Sequence, residues 1–121
     1  MNREGLSVVE DYLEALVTQD WDTLRACLRE DVVRNGPFRD EYRGRDAYVA
    51  FLAELMPTLP GYAMDVRRVG YVRDGRLAVA QLTETITVSG GSMRTEESLL
   101  FELDEDGLIA RIDIYIKTNR P

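Results

Sequence analysis

Asp31 to Leu52 reads DVVRNGPFRDEYRGRDAYVAFL. It begins as a short strand over Asp31 to Asn35. Gly36-Pro37 breaks that strand, since proline offers no N–H to a ladder. Arg43-Gly44-Arg45-Asp46 then leads into a helix over Asp46 to Met56. Tyr48, Phe51, Leu52, Leu55 and Met56 lie along one side of it. Asp46 is placed to cap or charge the helix N-terminus. The DEYRGRD charges read as a solvated loop. Pro57 and the pair Pro60-Gly61 end the helix.

Two helices precede this stretch. Ser7 to Val17 carries Val9, Leu13, Leu16 and Val17 at helical spacing, with Tyr12 at the edge of the stripe. Gln19-Asp20 ends that segment, and Asp20 can cap a second helix from Trp21 to Arg29, through Leu24, Cys27 and Leu28. After Tyr62 the pattern changes to long strands at about 62–73, 76–88, 93–104 and 108–118. Asp74-Gly75, Gly90-Gly91 and Asp106-Gly107 are the hairpin signals between them. Three helices followed by a four-strand meander is an α+β order. Helices with one apolar stripe must pack on one face of the sheet. No repeat, linker or low-complexity segment interrupts residues 1–121, so one domain is expected.

Composition narrows the function. The chain has 121 residues, 45% of them apolar and 31% charged, as in an ordinary globular domain. The net charge of −7 argues against nucleic acid and anionic membranes as partners, since both need excess Lys and Arg. No apolar run approaches the roughly 20 residues needed to span a bilayer. The N-terminal MNREGLSVVEDYL mixes acidic with apolar residues and does not read as a leader, so a cytoplasmic protein is expected. The single cysteine, Cys27, allows no intrachain disulfide and reads as a buried, inert thiol. There is no histidine. Ser-His-Asp and Cys-His catalysis and His-assisted zinc sites are therefore excluded. The acidic residues show no calcium-loop spacing, so neither metal nor cofactor is expected. Proton transfer must use Asp, Glu, Tyr, Lys, Cys or water.

The order of elements, and the strand, Pro-Phe turn and Arg-Gly-Arg-Asp stretch within it, closely resembles the nuclear transport factor 2-like superfamily. This includes SnoaL-like polyketide cyclases, ketosteroid isomerases and limonene-epoxide-hydrolase-like enzymes. The resemblance covers almost the whole chain. It implies a cone-shaped, curved, mixed or antiparallel sheet of the cystatin-like α+β type. Three helices from the N-terminal half would close its concave side over a pocket for an apolar small molecule. It also implies a homodimer through the convex face.

The resemblance assigns site positions residue by residue. Tyr12 matches the oxyanion-stabilising tyrosine of the isomerases, eight residues before Asp20. Their general-base position falls on Gly36 and their second oxyanion donor on Leu99, so the isomerase set is incomplete. Asn35 matches the water-holding asparagine of the epoxide hydrolases. Their neighbouring tyrosine falls on Val33, their Arg-x-Asp pair on Gln81 and Thr83, and their last aspartate on Ile114, so that relay cannot form either.

Strand phase supplies the remaining carboxylates. Ile112, Ile114 and Ile116 share one face, and Leu99, Phe101 and Leu103 look inward, which puts Glu97 and Thr95 toward the pocket mouth. Glu97 is the candidate proton-transfer group, with a pKa raised by desolvation. Glu84 is its rival. A gapless match with relatives turns Gln81, Thr83 and Thr85 inward and Glu84 outward; a bulge would invert this. If Glu84 and Glu97 both face in, two carboxylates share the site, which suits epoxide opening or cyclisation. In the gapless phase Ala78, Ala80, Leu82 and Ile86 form an outward apolar patch, joined by Leu100 and Tyr115, of the kind that marks an interface.

The expected function is that of a cofactor-free enzyme using general acid/base chemistry on an apolar small molecule, in the cyclase, isomerase or epoxide hydrolase range. Glu97, Tyr12 and Asn35 are the catalytic candidates. Gln81, Thr83, Glu84, Leu16, Phe51, Leu55, Leu99 and Ile114 are the substrate-binding ones. The alternatives are a non-catalytic binding module of the same fold, or a protein-interaction domain using the sheet face.

Overall fold

Val8, Val9, Tyr12, Leu13, Ala15 and Leu16 are buried along one stripe of α1, Gly5–Thr18. Gln19 ends the helix with a positive φ of 58°, and the Asp20 N–H reaches back to the Ala15 carbonyl at 2.9 Å. That is a Schellman-type stop made without glycine. Asp20 then caps α2, Trp21–Ala26, accepting from the Thr23 N–H at 3.3 Å and the Thr23 hydroxyl at 2.6 Å. The computed structural model describes residues 5–72 and 74–118. Arg73, the expected end of the first long strand, lies outside the described residues, as do the first four residues of the stretch assessed as a leader.

The second helix is shorter than its apolar spacing predicts. Leu28 already belongs to β1, Leu28–Asn35, which pairs in parallel with β6, Ile109–Ile116, and the Ile109 N–H bonds the Cys27 carbonyl at 2.9 Å. Tertiary pairing overrides local propensity there. The charged stretch after the turn is also more than a loop. Glu41–Arg43 forms β2, an edge strand paired antiparallel to β1. A short edge strand resembles a loop in sequence when its charged residues, here Glu41 and Arg43, face solvent. Gly44, with φ 94°, is the N-cap residue of α3, Arg45–Leu55. Asp46 sits in the first turn and bonds Arg25 rather than capping the helix. A 3₁₀ turn, Met56–Thr58, follows at Pro57.

The rest is a meander of β3, Ala63–Val72; β4, Leu77–Val88; β5, Gly91–Leu103; and β6. The β3–β4 turn holds Asp74 and Gly75 at φ 57° and 79°, the left-handed geometry that an Asp-Gly pair adopts readily. The six-stranded sheet has the order β2-β1-β6-β5-β4-β3 and is antiparallel except for β1–β6. Register shifts between Leu28 and Val33, Val66 and Arg68, and Glu102 and Leu103 interrupt the ladder. Such bulges bend a sheet, and this one curves as the α+β reading expects. Helices α1 and α3 lie against its concave face, with Phe101, Ile109, Ile112, Leu24 and Val32 fully buried between the layers.

β4 decides which residues reach the interior. It pairs with β5 without a break from Leu77↔Glu102 to Val88↔Gly91. Ala78, Ala80 and Leu82 are 0%, 0% and 2% exposed, and Leu82, Glu84 and Ile86 line the cavity. β4 therefore gives no outward apolar patch: Ala78, Ala80 and Leu82 belong to the core and Ile86 to the cavity wall. Gln81 and Thr83 take the opposite, convex face. No helix among the described residues is long and apolar enough to cross a membrane.

Candidate active site

Where the helices close over the curved sheet they leave a cavity of about 540 Å³. This is the size range of small-molecule sites. Its walls are largely apolar: Leu16 from α1; Phe51, Leu52 and Leu55 from α3; Leu82 and Ile86 from β4; Leu99 from β5; Ile114 and Ile116 from β6. Buried Tyr12, Tyr48, Leu82 and Leu99 mark the deep end. Exposed Phe38, Met93, Arg94 and Lys117 mark the mouth.

Polar side chains interrupt the apolar lining, and strand phase explains those on β1, β4 and β5. On β4 and β5, Leu82 stands opposite Glu97, and Glu84 opposite Thr95. Glu84 and Glu97 are therefore diagonal neighbours on one face, within reach of each other. Glu97, as the acid, donates to Glu84. Burial, then this hydrogen bond and the nearness of Glu84, push its pKa up to about 9. Two carboxyls sharing a site withdrawn from water resist joint ionisation. The Tyr62 hydroxyl donates to Glu84 Oε2. Burial, followed by Glu84, raises the Tyr62 phenol far above its ordinary range.

A second pair sits beside the first. The Tyr12 and Tyr48 hydroxyls share a hydrogen bond. Tyr12 packs edge-on against Phe101, with ring centroids 5.7 Å apart. Burial, then Tyr48, holds the Tyr12 phenol well above its usual pKa. Burial raises Tyr48 as well, against the opposing pull of Arg34. Both phenols thus keep their protons and neither is a base; one donates to the other, whose own proton stays free to donate.

Arg34 completes the set. Val32 is buried on β1, so Arg34, two residues on, takes the same inward face. Its guanidinium carbon lies 5.9, 5.8 and 5.5 Å from the Tyr42, Tyr48 and Phe51 ring centroids, and its Nη1 donates to Asp40 at 2.6 Å. Asp40 closes the turn after β1. It accepts from the Phe38 N–H at 3.2 Å, and its carboxylate fills the space beside Gly36, where an added Cβ would meet Oδ1 at 2.3 Å.

The sequence placed Glu97, Tyr12, Leu16, Phe51, Leu55, Leu99 and Ile114 in the cavity, and all seven line it, with Glu84 in the inward phase. It misplaced three residues. Asn35 faces the convex side, where its Nδ2 donates to Asp113 at 3.0 Å. Alternation with Arg34 turns it away from the cavity. Gln81 bonds Ser98 across the β4–β5 ladder at 3.3 Å, and Thr83 is buried beside it; both line a shallow polar hollow on the convex face. Four residues were missed: Arg34, Asp40, Tyr48 and Tyr62. Arg34 was the legible one, as a charge in the inward phase of an apolar strand. Among the described residues, no group of three or more His, Cys, Asp or Glu stands where it would hold a metal ion.

The site is thus a largely apolar cavity around an acid pair, closed by helices over a curved α+β sheet. The chain belongs to the SnoaL-like domain family, whose model matches residues 9–112. Three solved structures are similar. One is a protein provisionally assigned as a polyketide cyclase from Pseudomonas putida KT2440, with TM-score 0.83, 23% identity, and 98% of this chain and 95% of that one covered. Another is provisionally assigned as a ketosteroid isomerase from Kribbella flavida DSM 17836, with TM-score 0.81, 21% identity, and 97% and 80% covered. The third is an epoxide hydrolase of the limonene-epoxide-hydrolase-like type from M. tuberculosis, with TM-score 0.78, 24% identity, and 93% and 82% covered. At such identities the likeness is one of fold. No curated protein matches the sequence.

Proposed function

We propose that this protein is a cofactor-free enzyme that moves protons on an apolar small molecule, in the range of cyclisation, isomerisation or epoxide opening. The observation that carries this reading is the Glu84–Glu97 pair within an apolar cavity. Glu97 retains its proton at neutral pH and acts as the acid. Glu84 acts as the acceptor, positioned by the Tyr62 hydroxyl. A proton taken from one point of the substrate by Glu84 and returned at another by Glu97 needs no metal and no histidine. The Tyr12–Tyr48 pair supplies a donor for an oxygen whose negative charge grows along the reaction.

The reading is tested by proton exchange. In D₂O, the protein is expected to speed α-hydrogen exchange of an apolar ketone such as 2-tetralone, read by NMR, and Glu84→Gln, which removes the acceptor, is expected to remove that acceleration. Neither exchange nor hydrolysis of styrene oxide above the buffer rate, with a ligand nonetheless bound, supports the binding-module reading instead.

We also propose a cytoplasmic homodimer joined through the convex face. Its support is the resemblance and Tyr115, 59% exposed there, rather than the alanine-leucine set of β4. A monomer by light scattering at micromolar concentration contradicts it.

A further inference from the structure

Arg34 is the one ionisable side chain deep in the cavity that the proton-transfer reading leaves without a task. Its side chain is 11% exposed and that of its partner, Asp40, is 41% exposed. Asp40 therefore meets the guanidinium from the solvent side, through Nη1 alone. Arg34 Nε is buried, and no acceptor meets it. A guanidinium carries five N–H groups in a fixed plane. Three aromatic rings hold this plane in place, the Tyr42 and Phe51 rings being stacked 4.2 Å apart. That Nε is out of reach from the cavity, but the 11% of the side chain that stays exposed lines it. The acceptor that suits a planar fork is a carboxylate, which takes two parallel N–H bonds.

The charge around the cavity agrees. The chain as a whole carries −7, yet Arg34, Arg94 and Lys117 all line this space. Cations lining an apolar cleft draw anions toward it. Arg34 forms its ion pair with Asp40 and not with Glu84 or Glu97. The acid pair thus leaves the guanidinium to Asp40 and to the neutral Tyr48 hydroxyl, its hydrogen-bond neighbour.

Resting on the proposed function of this same cavity, we infer that its ligand is an apolar carboxylic acid. The carboxylate lies against the Arg34 guanidinium beside the Tyr12 and Tyr48 hydroxyls. The apolar body fills the space lined by Leu16, Leu55 and Ile114, within reach of the acid pair. Asp40 competes with the ligand for the guanidinium.

The test is calorimetric titration of the full chain with 2-naphthoate and with its neutral counterpart, 2-naphthamide. Naphthoate is expected to bind about tenfold more tightly or better, as a hydrogen-bonded charge pair implies. Arg34→Gln should erase the difference. Asp40→Asn keeps the acceptor for the Phe38 N–H and removes the competing charge, so it should tighten naphthoate severalfold and leave naphthamide unchanged. Equal affinities in the wild type, no naphthoate binding at millimolar concentration, or a preference that survives Arg34→Gln overturns the inference. If Arg34→Gln fails to fold, unchanged or weaker naphthoate binding by Asp40→Asn overturns it equally. Glu84→Gln separates the two proposals. It should keep the anion preference, and its loss of ketone exchange bears on the proton-transfer reading alone.

Discussion

Glu84 and Glu97 stand diagonally across the β4–β5 ladder, on the same concave face, joined by a hydrogen bond in which Glu97 keeps the proton. This relationship follows from an unbroken antiparallel register and from nothing more local. Each glutamate alone in sequence is an ordinary half-apolar strand position. Together, inside an apolar cavity, they form an acid and an acceptor side by side.

The pair makes stability depend on pH in a definite sense. Burial raises the Glu97 pKa from about 4.5 to about 9 on folding. Between those values the native state binds a proton that the unfolded chain does not. The stability this group contributes is complete below about pH 4.5 and is lost as pH rises toward about 9. The midpoint of thermal unfolding should fall across that window, and Glu97→Gln, which cannot ionise, should fall less. Equal slopes for the two proteins would contradict the buried acid.

The Tyr12–Tyr48 bond gives a second expectation. Either Tyr12→Phe or Tyr48→Phe leaves one hydroxyl buried without its partner, at a cost of about 1–3 kcal/mol. The double variant removes both hydroxyls and leaves no orphan. It should cost less than the sum of the single changes in urea denaturation. Strict additivity would mean that the hydroxyls do not depend on each other.

Leu82→Lys separates the core from the surface. Leu82 is 2% exposed on the concave face. A lysine there gives up the packing of Leu82 and the hydration of its ammonium, even beside the Glu84–Glu97 pair, and should cost at least about 2 kcal/mol. Tyr115→Lys, on the convex face, should leave the unfolding midpoint nearly unchanged. A Leu82→Lys protein as stable as the wild type would reverse the assigned phase of β4.

The convex-face residues provide a control. Asn35→Ala and Gln81→Ala remove side chains that bond Asp113 and Ser98 away from the cavity. Ketone exchange should stay within about twofold of wild type, well under the tenfold that about 1.4 kcal/mol of barrier represents. A large loss in either variant would place these residues in the reaction after all.

Much of this was legible in the sequence, and the failures have physical causes. The apolar alternation of Leu99-Phe101-Leu103 and Ile112-Ile114 fixed two strand faces and put Glu97 inside. In β4 the same alternation, Ala78-Ala80-Leu82 against Gln81-Thr83-Thr85, already pointed to the observed phase. Gapless comparison with relatives suggested the other, because two alanines make a weak apolar signal. Asn35 failed for a similar reason: the shared Asn-x-Pro pattern outweighed the buried phase of Val32, which turns Arg34 in and Asn35 out. Tyr48 and Tyr62 gave no signal of their own. A tyrosine on an apolar helix stripe or at a strand start reads as packing until its hydroxyl partner, 36 or 22 residues away, is placed.

The acid pair is tested most directly by a carbon-13 NMR titration of the Glu97 side-chain carboxyl. Glu97 is expected to titrate near 9 in the wild type, and to shift downward in Glu84→Gln, where the facing carboxyl is gone and burial alone remains. Titration near the ordinary glutamate value of about 4.3, unmoved by Glu84→Gln, would contradict the shared proton on which the proposed chemistry stands.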